Sequence, residues 1–339
     1  MRSRALVVPR AQGETARRLL AEHGLLRTDL QILASTTELV LPVRDGVAIP
    51  LGLGEEAERE FEPIPTPGPQ RYEDLLDWTE AEKAELPRAF DVIGDIVLVR
   101  IPPTLEPRLG EIGRALLDFV PGARLVGADR GVHGPERRRR VERIAGSGPW
   151  RTRHRENGLE LEVDVERAYF SPRLAREHAR VAADIAPGDR VYDLCCGVGP
   201  FSVTIARDGR AASVTAVDAN PEAIELLGRS LDRGRFDCPV DARCERIEEF
   251  LPRAVPVERV ILNLPHEGIK YAPSVARAVE PRGRLYYYEV VPRDGLDVRV
   301  EAVSNSLGSP GAWRTVEHHT VHPYAPDSDL VAFVLERAG

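Results

Sequence analysis

Asp193-Leu-Cys-Cys-Gly-Val-Gly-Pro-Phe201 is the stretch whose reading decides the fold. A short apolar strand, residues 190–194, runs into it. Gly197 and Gly199 allow a sharp turn and a close approach of backbone to a ligand. Asp193 falls at the carboxyl end of the strand, where open α/β sheets bind ligands. Downstream the chain alternates strands and helices. Strands are predicted at 213–218, 259–263 and 284–291, with helices at 222–233 and 272–279, and a last strand at 330–335. This rhythm predicts a doubly wound sheet, mixed but mostly parallel.

A lone Gly-x-Gly suits many nucleotide-binding folds. Two features narrow it. Asp218 ends the next strand, 25 positions after Asp193, where an acid can accept hydrogen bonds from a ribose diol, and Asn220-Pro221 then opens a helix. A dinucleotide site would carry a third glycine where Ser202 stands. The pattern predicts an S-adenosylmethionine (AdoMet) site. Asn263-Leu-Pro265, at the end of the strand 259–263, is similar to the Asn/Asp-Pro-Pro-Tyr motif of methyltransferases acting on base nitrogens. An asparagine offers that target both a donor and an acceptor.

The 339 residues are enough for two or three domains, and 42% hydrophobic with 29% charged is a soluble globular composition. No apolar run is long enough to cross a membrane, and the N-terminus lacks a signal-peptide pattern, so a cytoplasmic protein is expected. Cys195, Cys196, Cys238 and Cys244 do not have zinc-site spacing and are read as reduced small residues; no metal site is expected. Net charge is −8, yet residues 131–155 hold eight arginines against two glutamates, one basic segment on an acidic chain. That distribution suggests a localised polyanion contact.

Residues 1–66 read as a small α/β domain: strands at 5–8, 31–33 and 38–43, a helix at 13–23 with Gly24 as its C-cap, and an acidic run at 55–62. Four prolines in residues 63–69 mark a linker. Residues 67–160 read as a middle domain with a buried strand within 91–100, a helix at 109–119, the basic segment and an alternating strand at 158–165. Residues 161–339 form the Rossmann-like catalytic domain.

Several of these stretches together resemble the archaeal-type tRNA (guanine(37)-N1)-methyltransferases, which have relatives in wyosine synthesis. They are Phe90-Asp-Val-Ile-Gly-Asp-Ile96, His154-Arg-Glu-Asn-Gly158, Val165-Glu-Arg-Ala-Tyr-Phe-Ser-Pro-Arg-Leu-Ala-Arg-Glu177, the glycine turn, Asp218-Ala-Asn-Pro221 and Val260-Ile-Leu-Asn-Leu-Pro265. The resemblance spans nearly the whole chain. It implies a class I AdoMet methyltransferase domain preceded by two small α+β domains, acting on N1 of guanosine 37 beside the anticodon. The middle domain would bind RNA, and residues 1–66 the outer corner of the tRNA.

The resemblance also implies site residues. Glu177 would be the general base that removes the N1 proton. Arg139 would support guanine O6, with Arg138 and Arg140 left open by the arginine run. Tyr169 would hold the extruded base, Asn263 would contact its Watson–Crick edge and Pro265 would pack against it. The cofactor would be held by His178, Asp193, Cys195, Gly197, Gly199, Asp218, Ala219, Asn220, Glu245, Arg246 and Asn263. A monomer is expected, and any Mg2+ requirement would act through the tRNA. Two departures stand out: Cys195-Cys196-Gly197 where the family more often has Phe-Ala-Gly, and His266-Glu-Gly-Ile-Lys270 in place of an apolar helix start. Alternatives are aminocarboxypropyl transfer to, or methylation of, a wyosine precursor at the same position, or a non-catalytic tRNA-binding relative. Asn263-Leu-Pro265 counts against aminocarboxypropyl transfer, and Glu177, Asn263 and the intact turn against a non-catalytic role.

Overall fold

The computed structural model describes residues 1–46, 49, 52, 54–64, 68–134, 138–309 and 311–339. Part of the proline linker (65–67) and three residues of the basic segment, Pro135, Glu136 and Arg137, lie outside them. The chain divides into two compact units, Met1–Gln70 and Arg71–Gly339.

In the first unit, β1 (Arg2–Pro9), α1 (Gly13–Glu22), β2 (Leu33–Ala34), β3 (Glu38–Pro42) and β4 (Glu55–Glu60) build a four-stranded antiparallel sheet in the order β2-β3-β1-β4. Leu6 and Val8 of β1 face Ala16 and Leu20 of α1 in its core. Gly24 follows α1 at φ +66°, as its C-cap reading requires. The acidic run is a strand, β4, at the sheet edge. Its residues are nearly all solvent-facing, so it lacks the apolar alternation by which strands are recognised.

The second unit opens with α2 (Glu80–Lys83), β5 (Phe90–Ile93), β6 (Ile96–Val99), α3 (Leu109–Phe119), β7 (Leu125–His133) and β8 (Arg138–Gly146). These strands form a sheet in the order β5-β6-β7-β8, and α3 packs on it through Ile112, Ala115 and Leu116. The single strand expected within 91–100 is a hairpin, folded back at Gly94 (φ +58°). β9 (Arg151–Glu156) and β10 (Leu159–Asp164) pair across Asn157-Gly158, both at positive φ, the conformation that matches a two-residue turn to strand twist. Ile93, Leu125 and Leu161 share one core cluster with Val198, Val203 and Leu226 of the following sheet layer.

That layer comprises α4 (Ala175–Asp184), β11 (Arg190–Leu194), α5 (Pro200–Asp208), β12 (Ser213–Asp218), α6 (Pro221–Arg233), β13 (Val240–Cys244), α7 (Ile247–Phe250), β14 (Val257–Leu262), α8 (Ala272–Arg277), β15 (Val279–Pro292), α9 (Leu296–Ser306), β16 (Trp313–Ala325) and β17 (Ser328–Arg337). The strand order is β13-β12-β11-β14-β15-β17-β16. Pairings from β13 to β15 are parallel and the two involving β17 antiparallel, the mixed, mostly parallel sheet expected. Chain order reverses between β11 and β14. A crevice at the carboxyl ends of those two strands is the position where such sheets bind ligands. β16 is an edge strand whose register to β17 breaks three times.

Candidate active site

The turn after β11 is held open by its backbone. Cys195, Gly197 and Gly199 adopt φ of 62°, 56° and 75°. At Gly199 a Cβ would lie 2.4 Å from Leu227 Cδ1, so the helix α6 can pack closely only against glycine. Pro200 then starts α5 at the one helical position where a missing N–H costs nothing. The turn is tied to the end of β12: Gly197 N donates to Asp218 Oδ2 at 2.7 Å and Cys196 N to the Val217 carbonyl at 3.0 Å. Asn220 N donates to Asp218 Oδ1 at 2.8 Å, and the Asn220 side chain caps α6 by accepting from Glu222 N.

Asp193 is buried in the wall of the crevice. Ser202 donates to its Oδ2 from both N (3.2 Å) and Oγ (2.6 Å), while Oδ1 has no protein partner. Burial outweighs the Ser202 bonds and pushes its carboxyl up to about 6. Ser202, which stands where a dinucleotide fold has its third glycine, is therefore the residue that fixes Asp193. Burial and the nearby Asp218 and Asp193 carboxylates push the Cys195 thiol up, which keeps it protonated and unreactive.

One cleft collects most of the residues singled out in the sequence. His178, Asp193, Cys195, Gly197, Asp218, Ala219, Asn220, Glu245 and Arg246 line it, and so do Tyr169, Asn263 and Pro265. Gly199 shapes the turn behind the lining. His322 and Tyr324 of β16 join the rim, and Tyr324 hydroxyl lies 2.9 Å from His266 Nε2. The departure at His266 thus has a partner on β16 that sequence spacing did not reveal.

Glu177 and Arg139 stand behind this lining. Glu177 is 4% exposed. It accepts from Arg180 Nε (3.0 Å) and Nη2 (2.8 Å) and from the Tyr288 hydroxyl (2.7 Å), and His319 Nε2 lies 3.0 Å from its Oε2. Burial alone would raise its carboxyl, but the bonds from Arg180, Tyr288 and His319 outweigh it and hold the group below its ordinary value. In the arginine run, strand alternation turns Arg139 inward and leaves Arg138 and Arg140 exposed. Arg139 donates to Asp129 Oδ2 at 2.7 Å and to the Phe170 carbonyl at 3.1 Å, with its guanidinium 5.8 Å from the Tyr169 ring centre. It braces the segment that lines the cleft. Sequence reasoning missed Glu156, Tyr288 and His319, whose relevance comes only from contacts distant along the chain, and it read Ser202 only as the place of an absent glycine, although it bonds Asp193 nine residues before it. Among the described residues no group of three acidic, cysteine or histidine side chains could hold a metal ion, and no helix is long and apolar enough to cross a membrane.

A glycine turn bonded to the acid of the next strand, at the switch point of a sheet that ends in an antiparallel pair, defines an α/β methyltransferase. Comparison with known proteins narrows the class. Family models described as TRM5/TYW2 methyltransferase domain, TYW2 N-terminal domain and tRNA methyltransferase 5 N-terminal domain match residues 152–307, 72–149 and 5–51. The chain is 33% identical over 291 residues to tRNA (guanine(37)-N(1))-methyltransferase Trm5b of Pyrococcus abyssi, covering 85% of this chain and 84% of that protein. The crystal structure of the wild-type Trm5b from the same organism superposes with a TM-score of 0.75 at 30% identity, over 99% of this chain and 100% of the other. A complex of aTrm5 with tRNALeu gives a TM-score of 0.75 at 28% identity, over 98% and 99% of the two chains. The protein belongs to the TRM5/TYW2 methyltransferase family.

Proposed function

We propose that the protein transfers the methyl group of AdoMet to N1 of guanosine 37 in tRNA, giving 1-methylguanosine. The observation that carries this reading is a single cleft lined by the glycine turn and Asp218 together with Tyr169 and Asn263-Leu-Pro265. The donor end fits AdoMet. Asp218 lines the cleft with Oδ2 accepting from Gly197 N and Oδ1 from Asn220 N, and a carboxylate in that place is a natural acceptor for a ribose diol. Gly197 offers a surface without a side chain, and Asp193 and His178 each keep a buried polar atom without a protein partner. When bound, AdoMet supplies an electrophilic methyl group; the remaining work falls to the chain.

At the acceptor end, Tyr169 and Pro265 would bracket the extruded base and Asn263 would read its Watson–Crick edge. Arg139 would support O6 as charge builds there, next to the Tyr169–Phe170 segment it already braces. Glu177 would take the N1 proton. It is ionised and so able to accept, but weakly basic while Arg180 and His319 are bonded to it; base action requires those contacts to give way when RNA docks. Residues 1–66 would contact the outer corner of the tRNA, 67–160 its anticodon arm, and 161–339 would carry out transfer. A tRNA substrate implies action in the cytoplasm. One chain carries both ends of the cleft, so a monomer suffices.

The match of residues 72–149 to a TYW2 N-terminal domain favours one second reading, transfer of the aminocarboxypropyl group of AdoMet. Incubation with labelled AdoMet and tRNA carrying guanosine, adenosine or the tricyclic wyosine precursor at position 37, followed by nucleoside analysis, separates the two. The expected product is 1-methylguanosine from the guanosine transcript alone. An aminocarboxypropyl nucleoside, or no modification, would reject the proposal.

A further inference from the structure

The rim of the cleft carries a ring pair that the methyl-transfer reading leaves without a task. Tyr324, near the end of β16, lines the cleft and is 41% exposed. Its hydroxyl lies 2.9 Å from Nε2 of His266, and the two rings meet nearly edge to face, with centres 5.4 Å apart and planes at 68°. The partners come from separate elements: His266 follows Pro265 in the loop after β14, 58 positions before Tyr324. His322 of β16 adds a third ring to the lining. A single exposed aromatic is ordinary on a protein surface. One tethered to a second ring at the mouth of a substrate cleft is a prepared surface, because less side-chain freedom is left to lose when a ligand stacks on it.

The chemistry of the rim indicates which ligand. Glu267 lines the cleft beside His266, and Lys270 Nζ donates to it at 2.6 Å, so the lysine of this loop is already paired. Ring faces beside a paired carboxylate suit a neutral base better than a phosphate. An extruded guanine stays joined to its neighbours in the RNA, so the flanking nucleotides lie at the mouth of the cleft that holds it. Unstacked loop bases are taken up on aromatic side chains. His266 is joined directly to Pro265, read above as packing against the target base, which sets the ring pair beside that target. We propose that Tyr324, fixed by His266, is the stacking platform for the base of a nucleotide that flanks guanosine 37. His266 belongs to the stretch where this chain departs from the apolar helix start more usual in its family, so the platform is a feature of this chain. This rests on the tRNA reading above.

Binding of the full chain to tRNA joined from synthetic halves, with the base removed at position 36 or at position 38, tests it. The parent should bind one of the two abasic tRNAs roughly five- to hundredfold more weakly than intact tRNA, the usual worth of one base stacked on an aromatic ring. Which of the two is weakened names the neighbour. Tyr324→Leu should bind intact tRNA more weakly by a similar factor and no longer distinguish it from that abasic tRNA. Tyr324→Phe keeps the ring and should keep the distinction, which separates lost stacking from a damaged fold. S-adenosylhomocysteine affinity should agree among the three proteins. A Tyr324→Leu loss of equal size for intact and abasic tRNA would overturn the platform, and so would a loss of S-adenosylhomocysteine affinity, which would assign the ring to the cofactor. Equal binding of intact and both abasic tRNAs by a parent that still forms 1-methylguanosine would reject the platform alone. A parent that forms no 1-methylguanosine from intact tRNA would reject the methyl-transfer reading, and the platform with it.

Discussion

Asp193 and Glu177 are both buried carboxylates, sixteen positions apart and on adjacent elements, yet the protein treats them in opposite ways. Asp193 receives bonds only from Ser202, and burial pushes its carboxyl up to about 6. Glu177 is surrounded by a guanidinium, a phenol and an imidazole, and these override the same cost of burial. Depth alone therefore does not decide protonation; the number and charge of donors does. Asp193, in the wall of the cleft, is left short of donors, whereas Glu177, behind that wall, is oversupplied.

The comparison breaks most readily at Glu177. Glu177→Gln should slow single-turnover methyl transfer by roughly 10²–10⁴-fold, the usual contribution of a general base, while S-adenosylhomocysteine affinity stays within twofold or so. Unchanged transfer would remove Glu177 from the chemistry and leave it a structural acid. The next largest effect falls on the Asp193 side. Gly199→Ala places a methyl against Leu227 at a left-handed backbone position and should cost about 1–3 kcal/mol in chemical denaturation. A variant as stable as the parent would mean that α6 shifts freely and that the turn is not held as tightly as its bonds imply.

The opposite shifts also give opposite pH signatures. Asp193, raised in the folded state, contributes stability that is full below its ordinary value of 3.8 and is lost as pH rises through about 6. Glu177, lowered, contributes stability present above its ordinary value of 4.5 and lost as pH falls through the lowered value. Asp193→Asn should therefore flatten the stability profile between about pH 4 and 6, and Glu177→Gln should flatten it below that window. Identical profiles for the two variants would end the comparison. The smallest effect belongs to the exposed arginines: Arg138→Ala or Arg140→Ala should reduce the salt slope of tRNA binding by about 1 each. Arg139→Ala should instead destabilise the fold by about 1–3 kcal/mol, because it removes the bonds to Asp129 Oδ2 and to the Phe170 carbonyl.

Much of the donor end was legible in the sequence because its requirements are local. Gly197 and Gly199 are needed for backbone sign, and Asp218 and Asn220 follow a strand and open a helix. The acceptor end was legible only in part. Asn263-Leu-Pro265 has a fixed place after β14, but nothing near Glu177 announces that Tyr288, more than a hundred residues later, donates to it. The arginine run hid its own register until pairing of β7 with β8 set which face is inward. The hairpin at Phe90–Val99 reads as one strand in the sequence because its turn, Gly94-Asp95, interrupts the apolar run from Val92 to Val99 for only two residues. β4 was invisible for the opposite reason, having no apolar face to show.

β16 brings His319 to Glu177 and His322 and Tyr324 to the cleft rim, and it does so from the outermost position of the sheet. A thirteen-residue outer strand with regular spacing would offer a neighbouring chain a row of open amides and carbonyls, the template from which β-aggregates grow. The three breaks in register and Pro323 deny it that regularity, since each bulge bends the strand and proline has no N–H to give. The irregularity that aims side chains at the cleft is thus also a safeguard against self-adhesion, and straightening β16 to improve its ladder would be expected to cost the protein its solubility before its fold.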